Sequence, residues 1–157
     1  MERTVDTIIN ELQDLIDTTA FMDIMEVQNI YWGDPLVVSV NEYPYIYVEP
    51  EVDNPTSSTA GRAGYDVRDL TISVGVVVNS ADYFDPETDE TPGLRPLVKV
   101  MALIRALFTR LSKTSLDGTV RSVKINSTNY VPDVRNETFV RMALTTLVVQ
   151  KQYAHEE

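Results

Sequence analysis

The sequence has no cysteine and a single histidine, His155, in the third position from the end. The first absence excludes disulfides, thiolate nucleophiles and cysteine-ligated metals. The second removes the usual general base and the usual nitrogen ligand, because chain ends are poorly held. A Ser–His–Asp triad and a histidine metal centre are therefore not expected. No glycine-rich phosphate loop of either common spacing is present. The spacing of "GRAG" at 61–64 fits an RNA-clamping loop, but such a loop joins two helices and this one precedes a strand pattern. No long apolar run appears: "LVKVMALIRALF" is interrupted by Lys99 and Arg105 and is too short to span a bilayer. The N-terminus, "MERTVDTIINELQDLID", is charged and amphipathic from the start, unlike a secretory signal. The triplets "NST" (126–128) and "NET" (136–138) are accordingly expected to carry no glycan.

Positive charge is also scarce where the chain begins. Residues 1–60 hold 12 acidic groups and one basic group, Arg3. Residues 61–90 hold seven acidic and two basic groups, and residues 91–157 hold five acidic and ten basic. The formal net charge is −11. A duplex-binding protein concentrates positive charge on one face, and this chain dilutes it with acid. The placement describes either a soluble surface or a two-signed subunit able to meet copies of itself head to tail.

With 157 residues and 43% hydrophobic content the chain suffices for one domain, residues 1–157, with a substantial core. Val5, Ile8, Ile9, Leu12, Leu15 and Ile16 recur at helical spacing and predict a helix from about residue 3 to 18. "FMDIMEVQNIYW" reads as a short turn or helix leading into an extended piece. "GDP" at 33–35 is a turn, and "LVVSV" (36–40) and "YPYIYVEPE" (43–51) read as extended. In the latter, Tyr43, Tyr45 and Tyr47 point one way and Ile46 and Val48 the other. Pro44 and Pro50 suggest an edge strand. The tyrosine row could stack bases or fill a partner pocket, and packing on a sheet face is the simpler role. Residues 53–64 form a polar loop expected to be mobile.

In "VRDLTISVGVVV", Leu70, Ile72, Val74, Val76 and Val78 share one face, while Thr71, Ser73 and Gly75 share the other. A second helix is predicted over about Leu94–Ser112, with Leu97, Val98, Met101, Ile104, Phe108 and Leu111 as its core stripe. Val100, Leu103 and Leu107 make it apolar nearly all round. Two strands follow, "TVRSVKINS" and "TFVRMALTTLVVQKQY", the latter with Val140, Met142, Leu144 and Val148 on one face. The fold class expected is α+β: a four-stranded, mostly antiparallel sheet with two helices packed on one face. The other face is expected to carry Thr71, Ser73 and Thr145, mixed with Leu147 and Val149. Such a half-apolar face calls for a cover.

One stretch looks like chemistry. "DYFDPETDE" holds Asp82, Asp85, Glu87, Asp89 and Glu90. Counted from Asp85, an EF-hand loop matches at positions 1, 3 and 5. It fails at position 6, where Glu90 replaces glycine, and at position 12, which is Pro96. A solvated loop between strand and helix is the simpler reading.

Taken together, the acidic amphipathic first helix, "YPYIYVEPE", the polar loop, the alternating strand "RDLTISVGVVV", its acidic turn, the helix "LRPLVKVMALIRALF" and the final hairpin resemble the tail terminator (tail completion) proteins of long-tailed bacteriophages. The resemblance spans nearly the whole chain and lies in pattern, length and composition. It implies a structural virion protein, not an enzyme, with no cofactor and no metal. It implies a ring, usually of six subunits, that caps the tail tube and joins it to head-completion or neck proteins while viral DNA passes through. It also implies assembly in the host cytoplasm, a place at the head–tail junction and no membrane contact. The residues proposed for docking are Asn54, Thr56, Ser57, Ser58 and Arg62. Those proposed for an acidic lumen loop are Asp82, Asp85, Glu87, Asp89 and Glu90. Both sets are local inferences, since no family residue maps by motif. The alternatives are another head–tail connector subunit or a small acidic bacterial binding or regulatory domain.

Overall fold

In the computed structural model, residues 1–55, 65–83, 91, 93–114 and 120–154 are described. These described residues form a five-stranded mixed sheet with both long helices on one face. Helix α1 is Glu2–Ile16 and a single-turn helix α2 is Thr19–Met22. The strands are β1 (Asn29–Trp32), β2 (Tyr45–Pro55) and β3 (Tyr65–Asn79), then helix α3 (Leu94–Thr114), β4 (Val120–Arg135) and β5 (Thr138–Ala154). Spatial order is β1-β2-β3-β5-β4. All pairings are antiparallel except β1 with β2.

Helix α1 ends two residues before the predicted boundary because Thr18 starts the next element. Its hydroxyl donates to the Leu15 carbonyl at 2.7 Å and accepts the Phe21 N–H at 3.4 Å, a side-chain cap on α2. Helix α3 covers its prediction, with Pro96 in the first turn, where a missing N–H costs no helical bond. Its stripe is rotated from the predicted one. Val98 is 47% exposed, whereas Val100 and Leu107 join Leu97, Met101, Ile104, Phe108 and Leu111 inside.

The expected count of four strands and two helices becomes, among the described residues, five strands and three α-helices. The fifth strand is "NIYW", four residues paired in parallel with Tyr45–Val48. Its connection to β2, residues 33–44, has about the dozen residues a parallel crossover requires. "LVVSV" is not a strand. The Asp34 carboxylate accepts the Leu36 N–H at 2.9 Å, Leu36 turns to a positive φ of 64°, and Val37 N–H bonds back to Pro35 O at 2.7 Å. Those three contacts curl the segment. Because β1 flanks Tyr45–Val48, β2 is a sheet edge only beyond Val48, the half that holds Pro50 and a register shift between Pro50 and Val52. Residues Asp53, Asn54 and Pro55, expected in the polar loop, continue β2, opposite Leu70, Asp69 and Arg68. The remainder of that loop, 56–64, lies outside the described residues.

Strand β4 runs past the predicted Ser127 to Arg135, with a register shift between Ile125 and Thr128. It meets β5 through a two-residue turn in which Asn136 and Glu137 both have positive φ, 50° and 64°. That handedness suits a tight hairpin.

The main core joins Val5, Ile8 and Leu12 of α1, the apolar side of α3, and one sheet face. On β3 that face is the predicted set Leu70, Ile72, Val74, Val76 and Val78. Register places Ala143, Thr145, Leu147 and Val149 beside them. Thr145, Leu147 and Val149 therefore lie under the helices, not on the far face as expected. Val140, Met142 and Leu144 do share a face, and it is the far one. Alternation sorts a strand into two sides, but pairing with β3 decides which side is which.

Candidate functional site

The two proposed loops sit at opposite ends of β3. Asn54 is exposed and pairs with Asp69 near one end of the strand, whereas Asp82 lies in the short turn Ser80–Tyr83 that follows Asn79 at the other. Between Asp69 and Asn79 the strand spans about 33 Å at ~3.3 Å per residue. Asn54 and Asp82 therefore do not share a site. Thr56, Ser57, Ser58 and Arg62, and likewise Asp85, Glu87, Asp89 and Glu90, lie outside the described residues. Among the described residues no group of acidic or histidine side chains is placed to hold a metal, and no helix is long and apolar enough to cross a membrane.

The far sheet face is not bare at the tyrosine end. Tyr43, Tyr45, Tyr47, Val77, Val140 and Met142 form a second buried cluster. The 33–44 connection lays Val38 against it. The tyrosines are thus packing residues, with Tyr31 edge-on to Tyr45 at 5.4 Å between ring centres. The Tyr47 ring lies across Gly75, its partner in β3, where a Cβ would collide with it.

Within this layer lies a charged pair that the sequence did not reveal. Arg135 grips Asp34 with both terminal nitrogens, each at 2.9 Å. The side chains are 9% and 8% exposed. Arg135 Nη1 also donates to the Tyr45 hydroxyl at 2.7 Å, and that hydroxyl donates to Asp34 at 3.1 Å. Arg135 Nε donates to Asp133 at 3.0 Å. Burial works against the guanidinium's charge, but hydrogen bonds to Asp34 and Asp133 hold its pKa above the ordinary value. The hydrogen bond from Arg135 holds the Asp133 carboxyl below the usual range. Burial, and then the Asp34 charge, push the Tyr45 phenol up and the Tyr47 phenol up to about 12. The network is a clasp: it pins the crossover loop to the β4–β5 hairpin, 101 residues away in sequence. A "GDP" turn and a lone arginine before an Asn-Glu turn were the only sequence traces of it.

A surface with functional character emerges from charge. Strand order keeps the early chain on one flank (β1, β2) and the late chain on the other (β5, β4). Helix α1 lies over β1 and β2, and α3 over β4 and β5. Helix α1 holds four acids and one base, and residues 49–53 of β2 add Glu49, Glu51 and Asp53. Helix α3 carries Arg95, Lys99, Arg105 and Arg110 with no acid among them, and β4 adds Lys124. The imbalance seen along the sequence is therefore a separation in space, across the width of the sheet. Apolar groups are exposed as well. Val134 and Phe139, 57% and 71% exposed at the hairpin, border a groove of about 600 Å³ that also includes Ser80 and Arg141.

No family model matches the chain, and no curated protein does. Among solved structures it is similar to a chain of the virion of a native gene transfer agent (GTA) particle. The identity is 12% and the TM-score 0.49, over 90% of this chain and 91% of that one. A likeness of this degree carries no argument about function.

Proposed function

We propose that the protein is a structural virion subunit of the tail terminator kind. It assembles into a ring, six-membered in the resemblance, that caps a phage tail tube and meets head-completion or neck proteins. Viral DNA passes through the ring without sequence-specific contact. The observation that carries this reading is the division of charge between the two flanks of the sheet. A ring needs a heterologous contact, in which one surface meets a different surface of the next copy, and opposite signs on opposite flanks supply one. The far separation of Asn54 from Asp82 along β3 suits a subunit that presents different loops to different neighbours. An acidic loop beside the channel would let DNA slide, since basic side chains there would hold its phosphates.

The proposal includes the absence of catalysis. The sequence resemblance and the lack of any histidine- or cysteine-based constellation in the chain support that part. Native mass spectrometry of the concentrated protein and cryo-imaging of tail tubes carrying it test the ring. A strict monomer in both settings ends the proposal. Metal-dependent hydrolysis of phosphate, ester or glycoside substrates, abolished by Asp85→Asn, would refute the non-catalytic part.

A further inference from the structure

We infer that the groove at the β4–β5 hairpin is a docking site for an extended segment of a partner protein, one that carries an apolar side chain and, two residues along, a carboxylate. The inference does not depend on a ring, since a single copy carries the whole groove. Phe139 and Arg141 stand on the side of β5 that lies under the helices from Ala143 onward, and Val134 and Pro132 are their partners across the hairpin. The helical layer stops short of them. Helix α3 begins at Leu94, and the preceding Gly93, at a positive φ of 78°, lies so close that a Cβ on it would meet Val78, Arg141 and Ser80. Beyond that point Pro132, Val134 and Phe139 are exposed. They border the groove of about 600 Å³ in which Arg141 is the one side chain of positive charge.

Arg141 decides what fits. It is partly buried, and among the described residues it has no hydrogen-bond or ion-pair partner. Anything apolar that covers the groove takes this guanidinium out of water, and a buried charge is costly unless it is paired. The occupant must therefore bring an anion as well as apolar surface. The groove's own carboxylate, Asp133, does not supply it, because the Arg135 Nε holds it at 3.0 Å. Phe139 and Arg141 are two residues apart on one strand, about 7 Å, which is also the spacing of side chains i and i+2 on an extended peptide. A segment lying along the hairpin thus sets an apolar side chain on Val134 and Phe139 and a carboxylate on Arg141. A small organic acid fits less well, because ligand sites bury most of their ligand and this groove leaves Phe139 71% exposed.

The test uses the full chain and a synthetic probe: the peptide Leu-Ser-Glu-Ser-Leu, acetylated, amidated and labelled with a fluorophore through a glycine linker. Fluorescence anisotropy should show saturable binding. The peptides Leu-Ser-Lys-Ser-Leu, with the wrong charge, and Leu-Glu-Ser-Ser-Leu, with the wrong spacing, should bind at least about tenfold more weakly. Phe139→Ser, at an exposed position, should weaken the glutamate peptide by a similar factor without altering the melting temperature. Arg141→Glu should reverse the preference between the glutamate and lysine peptides. The inference is overturned if the glutamate peptide does not bind, or if both variants bind it as the parent does. It also falls if the parent binds the lysine peptide as tightly, since the groove is then merely apolar. If sedimentation shows a self-associating parent and a monomeric Phe139→Ser, a second copy fills the groove and the partner is not a different protein. If the peptide binds only after Asp82, Asp85, Glu87, Asp89 and Glu90 are neutralised, the groove belongs to the chain's own acidic stretch, and the inference is again overturned.

Discussion

Replacing Asp34 with alanine should be among the most costly single changes away from the main core. The substitution leaves Arg135 almost buried. Its Nε keeps Asp133, but Nη2 loses its carboxylate and retains only a contact of 3.2 Å to Met142 Sδ. Removing one partner of a buried ion pair costs about 3–5 kcal/mol, and the half-exposed Asp133 still bonded to Nε offsets only part of the charge left behind. The reverse change, Arg135→Met, should cost less. Asp34 would keep two donors, the Leu36 N–H at 2.9 Å and the Tyr45 hydroxyl at 3.1 Å, and the thioether would sit beside Met142. The double variant should cost less than the sum of the two by roughly 1–3 kcal/mol, the coupling expected of groups in one network. For a chain of this size about 2–4 °C of melting temperature accompanies each kcal/mol, so Asp34→Ala should lower Tm by roughly 6–20 °C. Urea unfolding of the four proteins at pH 7 gives the cycle. Salt should change the coupling little, since buried pairs are weakly screened. A cost below about 1 kcal/mol for Asp34→Ala, or strict additivity, would refute the clasp.

Gly75→Ala should destabilise by about 1–3 kcal/mol in chemical denaturation, because the new methyl group must displace the Tyr47 ring; stability equal to the parent would show that the ring moves freely. The tyrosine cluster should impose an alkaline limit. Tyr45 and Tyr47 have folded pKa values raised above the unfolded value near 10, so the stability they contribute is complete below pH 10 and is lost as pH rises toward about 12. A 295 nm titration should show these two phenols ionising only with unfolding, and normal titration near pH 10 in the folded protein would contradict it. Replacing Asp82, Asp85, Glu87, Asp89 and Glu90 by Asn, Gln or Ser should leave Tm nearly unchanged, since clustered like charges repel one another. Calcium should not raise the Tm of the parent, and a large calcium-dependent rise lost in the variant would reveal a metal site.

The sequence alone determined the two long helices and the sides of β3. Apolar residues at intervals of three and four, or of two, leave no other way to bury Val5, Ile8 and Leu12 together, or Leu70 through Val78 together. It also determined the charge imbalance, which is composition. What it did not determine were features made by pairing and long-range contact. "NIYW" has no alternation that marks it as a strand and becomes one only because Tyr45–Val48 offers an open ladder. "LVVSV" has the composition of a strand, yet Asp34 turns it locally, and Asp34 is itself held from Arg135. The side of the sheet that Leu147 and Val149 face follows from their register against Ile72 and Leu70. The charge imbalance became a surface only through the strand order β1-β2-β3-β5-β4, which sends the first and last parts of the chain to opposite flanks. Local spacing fixes what a segment can bury. Only the closed tertiary structure fixes which partner, among residues a hundred positions apart, is there to be met.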